Sequence, residues 1–132
     1  MPKFSDRSLE NLNHVHQDLQ ALFNEVIKDY DCTVICGMRT QEEQKELYAQ
    51  GRYKPGNIVT YKDGIERRSK HQVGLAVDVV PYPIDWKDEE RFREFGWFVI
   101  GVAKTLKRYG QIEKDIKWGG QWKFKDYPHF EI

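Results

Sequence analysis

The sequence has no surplus of charge of either sign and no long apolar run. Its 132 residues include 21 Lys and Arg and 21 Asp and Glu, so the formal net charge is +0. Proteins that bind nucleic acid usually carry a basic surplus, so this balance disfavours DNA or RNA as a partner. No apolar stretch approaches the roughly 20 residues that cross a bilayer. We therefore expect no nucleic-acid partner and no stable membrane insertion.

The amino-terminal residues also lack the apolar core of a secretory signal. Residues 1–12 mix charged and amide side chains, which is unlike the apolar segment of a signal peptide. We therefore expect a cytoplasmic protein that is not exported by a conventional leader.

Cysteine is scarce as well, with only Cys32 and Cys36 in the chain. Both lie in one predicted strand, where four residues span about 13 Å, well beyond the roughly 7 Å that a disulfide tolerates between Cα atoms. We expect two reduced thiols. Buried structural cysteine is the common role of such residues, and metal ligation is the alternative.

The composition and the order of the predicted helices and strands indicate one α+β domain over residues 1–132. Hydrophobic residues make up 39% and aromatic residues 14% of the chain, which argues against disorder. Periodicity and capping signals predict three helices, at 6–29 with Leu9 on its apolar stripe, at about 40–51, and from Asp85 or Asp88 to about Tyr109. Short strands are predicted at 32–36, 76–80, about 116–118 and 128–132, and a long loop at 52–70. This pattern predicts a small, mostly antiparallel sheet with helices packed against it.

One predicted strand has a face suited to a bound cation. Strand alternation places Gly74, Ala76 and Asp78 on the same face, with His71 at the entrance to the strand. The two small residues leave room for a ligand to approach the backbone beside the carboxylate.

The last predicted strand repeats this pattern, because His129 and Glu131 alternate with Phe130 and Ile132. Together, His71, Asp78 and His129 provide three ligands. Three protein ligands and an open fourth position are typical of catalytic zinc, which lowers the pKa of a bound water toward about 7. Asp126 precedes His129 closely enough to act as the general base, and Glu131 is placed to orient an imidazole.

Three separated motifs resemble one known family. The segment SKHQVGLAVDVVP, at 69–81, resembles the Ser-x-His-x-x-Gly-x-Ala-x-Asp signature of zinc-dependent peptidoglycan peptidases. This family includes D-Ala-D-Ala carboxypeptidases, D-Ala-D-Ala dipeptidases and phage L-alanyl-D-glutamate endolysins. GMRT at 37–40, and WGGQW at 118–122 followed by DYPHFE at 126–131, look like the same family. The closest resemblance is to the short endolysin branch.

The resemblance implies a role for each matching residue. His71, Asp78 and His129 would bind Zn²⁺, Asp126 would be the catalytic acidic residue, and Arg39 would steady the scissile carbonyl. Ser69 matches a serine at the mouth of the site, where it would hydrogen-bond the substrate backbone. Large aromatic side chains, Trp118 and Trp122, are further candidates for the walls of the cleft.

The function implied is hydrolysis of the L-Ala–D-Glu bond in peptidoglycan peptide stems by a monomeric phage or prophage lysis enzyme. Such an enzyme would wait in the cytoplasm until a holin opens the membrane. The basic loop 52–70 leads into His71 and would attract the carboxylates of the stem. Two alternatives remain, a D-Ala-D-Ala carboxypeptidase or dipeptidase with the same site, and an inactive zinc-containing domain that binds cell wall.

Overall fold

The computed structural model describes residues 2–132, which form four helices and one four-stranded sheet. The elements in chain order are α1 Asp6–Leu12, α2 Gln17–Val26, β1 Cys32–Cys36, α3 Gln41–Ala49, β2 Ala76–Pro81, α4 Glu89–Arg108, β3 Lys117–Trp118 and β4 His129–Glu131. Short 3-10 helices cover Lys70–Val73 and Gly119–Gln121. The strand order is β1-β2-β4-β3 and every pair is antiparallel. The predicted α+β class and antiparallel sheet are confirmed.

The first predicted helix is two helices, so the prediction of one helix over 6–29 is wrong. The chain turns at residues 13–16, where the backbone N–H of His16 donates to the carbonyl of Gly74 (2.8 Å) rather than to a preceding turn. His16 Nδ1 then accepts a hydrogen bond from the N–H of Asp18 (3.0 Å) and caps α2. The break lets α1 turn toward β1, and as a result Leu9 is 37% exposed whereas Leu12 is buried.

The strand that carries Asp78 begins at Ala76, as predicted, but Gly74 lies outside it and does not share the face of Asp78. Ala76 is buried, and Gly74 instead ends the 3-10 helix before β2 with a φ of 73°. That left-handed conformation favours glycine, because a Cβ would clash with the backbone. The glycine therefore turns the chain sharply between His71 and β2.

Trp118 lies in the core, not in the wall of a cleft. Only 1% of its surface is exposed, and its Nε1 donates to the carbonyl of Tyr127 (2.8 Å). The indole fits between two glycines, because a Cβ on Gly96 or on Gly120 would lie only 2.0 or 2.2 Å from its ring atoms. The predicted contact between Trp118 and substrate is not supported, since burial leaves no surface for it.

Two glycine-to-alanine substitutions in α4 are expected to change the free energy of unfolding in opposite directions. Gly96→Ala is expected to lower the free energy of unfolding by about 1–3 kcal/mol, because the new methyl group would overlap the Trp118 ring. Gly101→Ala is the matched control, since a Cβ there meets no atom within 4 Å. It is expected to raise the free energy of unfolding by about 0.5–1 kcal/mol, through better helix propensity. Urea denaturation measures both, and a stable Gly96→Ala variant would contradict the packing.

Both predicted helix caps are present in the structure. The capping box of Thr40 and Glu43 starts α3 and Asp88 caps α4, as predicted. Cys32 and Cys36 are both free, and burial raises the pKa of the Cys32 thiol to about 12. Among residues 2–132, no helix is both long and apolar enough to cross a membrane.

Candidate active site

The three predicted metal ligands meet at one point. His71 Nε2 lies 3.3 Å from His129 Nδ1 and 3.3 Å from Asp78 Oδ1. His129 Nδ1 lies 3.3 Å from the same Asp78 oxygen, so the three atoms form a nearly equilateral triangle. Asp78 and His129 are direct partners in the pairing of β2 with β4, and His71 lies in the 3-10 helix just before β2. The sheet register therefore brings together residues from distant parts of the chain.

Both imidazoles present a lone pair to this triangle. His71 Nδ1 lies 2.9 Å from the carbonyl oxygen of Gly37, which can only accept, so Nδ1 carries the proton. His129 Nε2 lies 2.8 Å from Glu131 Oε1 and donates to that carboxylate in the same way. Because the outer nitrogens hold the ring protons, the inner nitrogens of the neutral rings are unprotonated. Two nitrogen lone pairs and a carboxylate oxygen thus face one another, an arrangement that requires a positive charge between them.

The proton affinities of the same groups indicate a cation site. Burial lowers the pKa of His71, but hydrogen bonds with Asp78 and Cys36 outweigh it and raise the pKa to about 10. Burial raises the pKa of Asp78, but hydrogen bonds with His129 and His71 outweigh it and hold that pKa well below its usual range. These opposite shifts show that the three donors together favour a positive charge between them.

The donor set fits zinc. Zinc in tetrahedral coordination with nitrogen and oxygen at 2.0–2.1 Å keeps its ligands about 3.3 Å apart, which is the spacing found between these three atoms. Two imidazoles and one carboxylate are also a common donor set of catalytic zinc sites. Glu131 orients one of these ligands, because its Oε1 accepts the hydrogen bond from His129 Nε2. Lys70 positions Glu131 in turn, since its Nζ lies 2.8 Å from the other carboxylate oxygen, Oε2.

Cys36 offers an alternative ligand that the sequence left open. Its Sγ, one ring nitrogen of His71 and one oxygen of Asp78 all lie within 4.8 Å of one another. Sγ approaches His71 at Nδ1 (3.7 Å), the nitrogen that already donates to Gly37. The triangle with His129 uses only nitrogens with available lone pairs, so the geometry favours His129 over Cys36 as the third ligand.

The triangle lies in an open cleft of about 300 Å³. Side chains lining the cleft besides the three donors include Arg39, Lys62, Ser69, Lys70, Trp122, Asp126 and Glu131. Of the two tryptophans proposed for its walls, only Trp122 lines it, with its ring centroid 5.1 Å from that of His129.

Asp126 is positioned beside the donor triangle by its backbone. Its N–H donates to the carbonyl of Gly119 (3.0 Å), and its own carbonyl accepts from the N–H of His129 (3.2 Å). The approach to Gly119 is so close that a Cβ there would lie 2.3 Å from the Asp126 carbonyl oxygen. Although the residue is exposed to the cleft, partial burial of the carboxyl and then the charge of Asp78 raise the pKa of Asp126. A carboxylate with a raised pKa is a better proton acceptor.

Arg39 enters the cleft from the segment between β1 and α3. Its N–H donates to the carbonyl of His71 (2.8 Å), and its Nη1 donates to Gln44 Oε1 (2.8 Å). Gln44 is fully buried, so the guanidinium is held by a partner that cannot move into solvent. No sequence pattern singles out Gln44, because its burial depends on the distant loop 52–70.

Ser69 has a structural contact that the sequence did not indicate. Its hydroxyl accepts a hydrogen bond from the N–H of His71 (3.2 Å), and its N–H donates to Gln72 Oε1 (2.8 Å). This capping box starts the 3-10 helix that carries His71. Ser69 therefore positions a candidate ligand, in addition to lining the cleft.

Fold and site together define a small α+β protein with a candidate mononuclear metal centre in an open cleft. The chain belongs to the phage L-alanyl-D-glutamate peptidase family, whose family model matches residues 1–132. The predicted resemblance is therefore confirmed.

Two relatives show what this chain is similar to. It is 43% identical over 114 residues to the peptidoglycan L-alanyl-D-glutamate endopeptidase CwlK of Bacillus subtilis, a match that covers 80% of this chain and 62% of CwlK. The crystal structure of the Serratia marcescens L-Ala D-Glu endopeptidase ChiX superposes with a TM-score of 0.68 and 28% identity, covering 98% of this chain and 90% of ChiX. The chain thus spans less than two thirds of the length of CwlK.

Proposed function

We propose that this chain is a zinc-dependent peptidase that hydrolyses the L-Ala–D-Glu bond of peptidoglycan peptide stems. The observation that carries the proposal is the triangle of His71, Asp78 and His129, in which both ring protons point away from the centre. The activities named for CwlK and ChiX support the choice of bond.

The three metal donors, Asp126 and Arg39 each have a role in this proposal. His71, Asp78 and His129 hold Zn²⁺, which when bound supplies a Lewis acid for activation of water and polarisation of the amide carbonyl. Asp126 accepts a proton from the attacking water and passes it to the nitrogen of the leaving amine. Arg39 is a permanent cation and stabilises the negative charge that develops on the carbonyl oxygen.

The biological setting is part of the proposal. We propose a phage or prophage endolysin, a role that the family name supports. In this proposal the enzyme acts as a monomer on the cell wall after a holin has opened the membrane. Its partner is the peptide stem, which is the substrate.

Digestion of purified peptidoglycan tests the proposed bond. Mass spectrometry of the products is expected to find new amino-terminal D-glutamate, and treatment with a chelator is expected to remove this activity. Release of terminal D-alanine would instead identify a D-Ala-D-Ala carboxypeptidase or dipeptidase. A zinc-loaded protein that releases neither product would be the inactive cell-wall-binding domain.

Glu131 is expected to tune the affinity for the metal. Glu131→Ala removes the acceptor that fixes the ring of His129, so the affinity for zinc is expected to fall about 10–100-fold while the fold is retained. Competition with a chromogenic chelator measures the affinity. Glu10→Ala, on the exposed surface of α1, is the control and should bind zinc like the wild type. Equal affinities in the two variants would show that Glu131 does not orient His129.

A further inference from the structure

The loop 52–70 brings positive charge to one wall of the cleft. From Arg52 to Lys70 the sequence has six basic residues and two acidic ones. Val59, Thr60 and Lys62 of this loop line the same cleft as the donor triangle. The loop therefore contributes directly to the surface that a substrate would contact.

Lys62 differs from the other two Lys and Arg residues that line the cleft. Arg39 is hydrogen-bonded to Gln44 and to the Cys36 sulfur, and Lys70 forms an ion pair with Glu131. Within residues 2–132, the Lys62 ammonium has neither a carboxylate within 4.0 Å nor a hydrogen-bond partner. It is thus the one of the three cations whose charged group has no bonded partner among these residues.

The backbone at Lys62 is nevertheless firmly held. The fully buried Gln44 donates through Nε2 to the Lys62 carbonyl (2.8 Å) and to Thr60 Oγ1 (3.3 Å). Two residues further on, buried Gln72 donates to the carbonyl of Gly64 (3.0 Å). These bonds fix the position from which the flexible Lys62 side chain extends, and the same Gln44 amide holds Arg39.

We propose that Lys62 determines specificity by binding the free carboxylate of the D-glutamate next to the scissile bond. This inference rests on the proposed function. D-Glutamate has two carboxyl groups, and only one continues the peptide, so the other is an anion on the residue that supplies the scissile nitrogen. Asp126 and Glu131 also line the cleft and would repel that anion. An unpaired cation on the loop 52–70 offsets this repulsion and selects the charged substrate.

Two synthetic peptides that differ only at this group test the inference, one with the free D-glutamate carboxylate and one with the carboxamide. The wild type is expected to prefer the carboxylate through a lower KM. In Lys62→Met, the KM for the carboxylate peptide should rise roughly tenfold, with kcat and the KM of the amide peptide little changed. Lys62→Arg keeps the charge and should retain the preference.

Lys54→Met is the matched control within the same loop, because Lys54 pairs with Glu46 and does not line the cleft. It should retain the wild-type preference. Loss of preference in both variants, an equal loss of kcat on both peptides, or an unchanged preference in Lys62→Met would each overturn the role of Lys62. If the wild type cleaves neither peptide between L-Ala and D-Glu, the proposed function itself fails.

Discussion

His71→Ala is expected to lose zinc binding and peptide hydrolysis together. The substitution removes one of three donor atoms and leaves Asp78 and His129, which are too few to hold a catalytic zinc ion firmly. Because the proposed reaction depends on activation of water at that ion, kcat/KM should fall on the order of 10³-fold or more. Elemental analysis of the purified variant gives the zinc content, and the peptide assay gives the rate.

The fold of His71→Ala should survive, which makes the result interpretable. The backbone of residue 71 keeps its N–H bond to Ser69 and its carbonyl bond to Arg39, since neither involves the imidazole. Thermal denaturation checks this. His14→Ala replaces an exposed histidine outside the cleft and should match the wild type in zinc content and rate. Stoichiometric zinc and full activity in His71→Ala would show that the triangle is not the metal centre.

Cys36→Ser separates the two possible ligand sets. If His71, Asp78 and His129 hold the ion, the serine variant should retain zinc, and the effect on activity should be small. If the thiolate of Cys36 is a ligand in place of His129, zinc content should fall in Cys36→Ser and remain in His129→Ala.

The candidate ligands could be predicted because each lies in a short segment with a clear pattern. Strand alternation identified the side of β2 that bears Asp78, and the same rule separated His129 and Glu131 from Phe130. In the antiparallel pairing of β2 with β4, Asp78 lies directly opposite His129, so the two side chains come together. Local pattern and a simple sheet together were enough to place the triangle.

Long-range packing set the features that the sequence did not predict. Trp118 is in a motif that resembles the family, yet glycines on α4 and after β3 accommodate its ring inside the core. The break after α1 depends on a hydrogen bond from His16 to Gly74, more than fifty residues away. By its sequence, Gln44 is expected on the exposed surface of a polar helix, but in the structure the loop 52–70 covers it and it is fully buried. The sequence next to these residues contains no pattern that predicts any of these contacts.

Asp126→Ala is expected to separate turnover from metal binding. The carboxyl group is not one of the three donors, and the backbone bonds to Gly119 and His129 remain in the alanine variant. Zinc content should therefore equal that of the wild type, while kcat falls about 10²–10⁴-fold through loss of the general base. Equal loss of zinc in Asp126→Ala and His71→Ala would make Asp126 a ligand instead.

The pH profile gives this prediction a second, independent readout. A protonated carboxyl cannot accept a proton, so kcat/KM of the wild type should fall as the pH drops through the pKa of Asp126. The residual activity of Asp126→Ala should lack that acid limb, whereas Asp126→Glu should restore it together with part of the rate. An acid limb unchanged in Asp126→Ala would assign it to another group, and the proton acceptor would then have to be sought among the remaining carboxylates of the cleft.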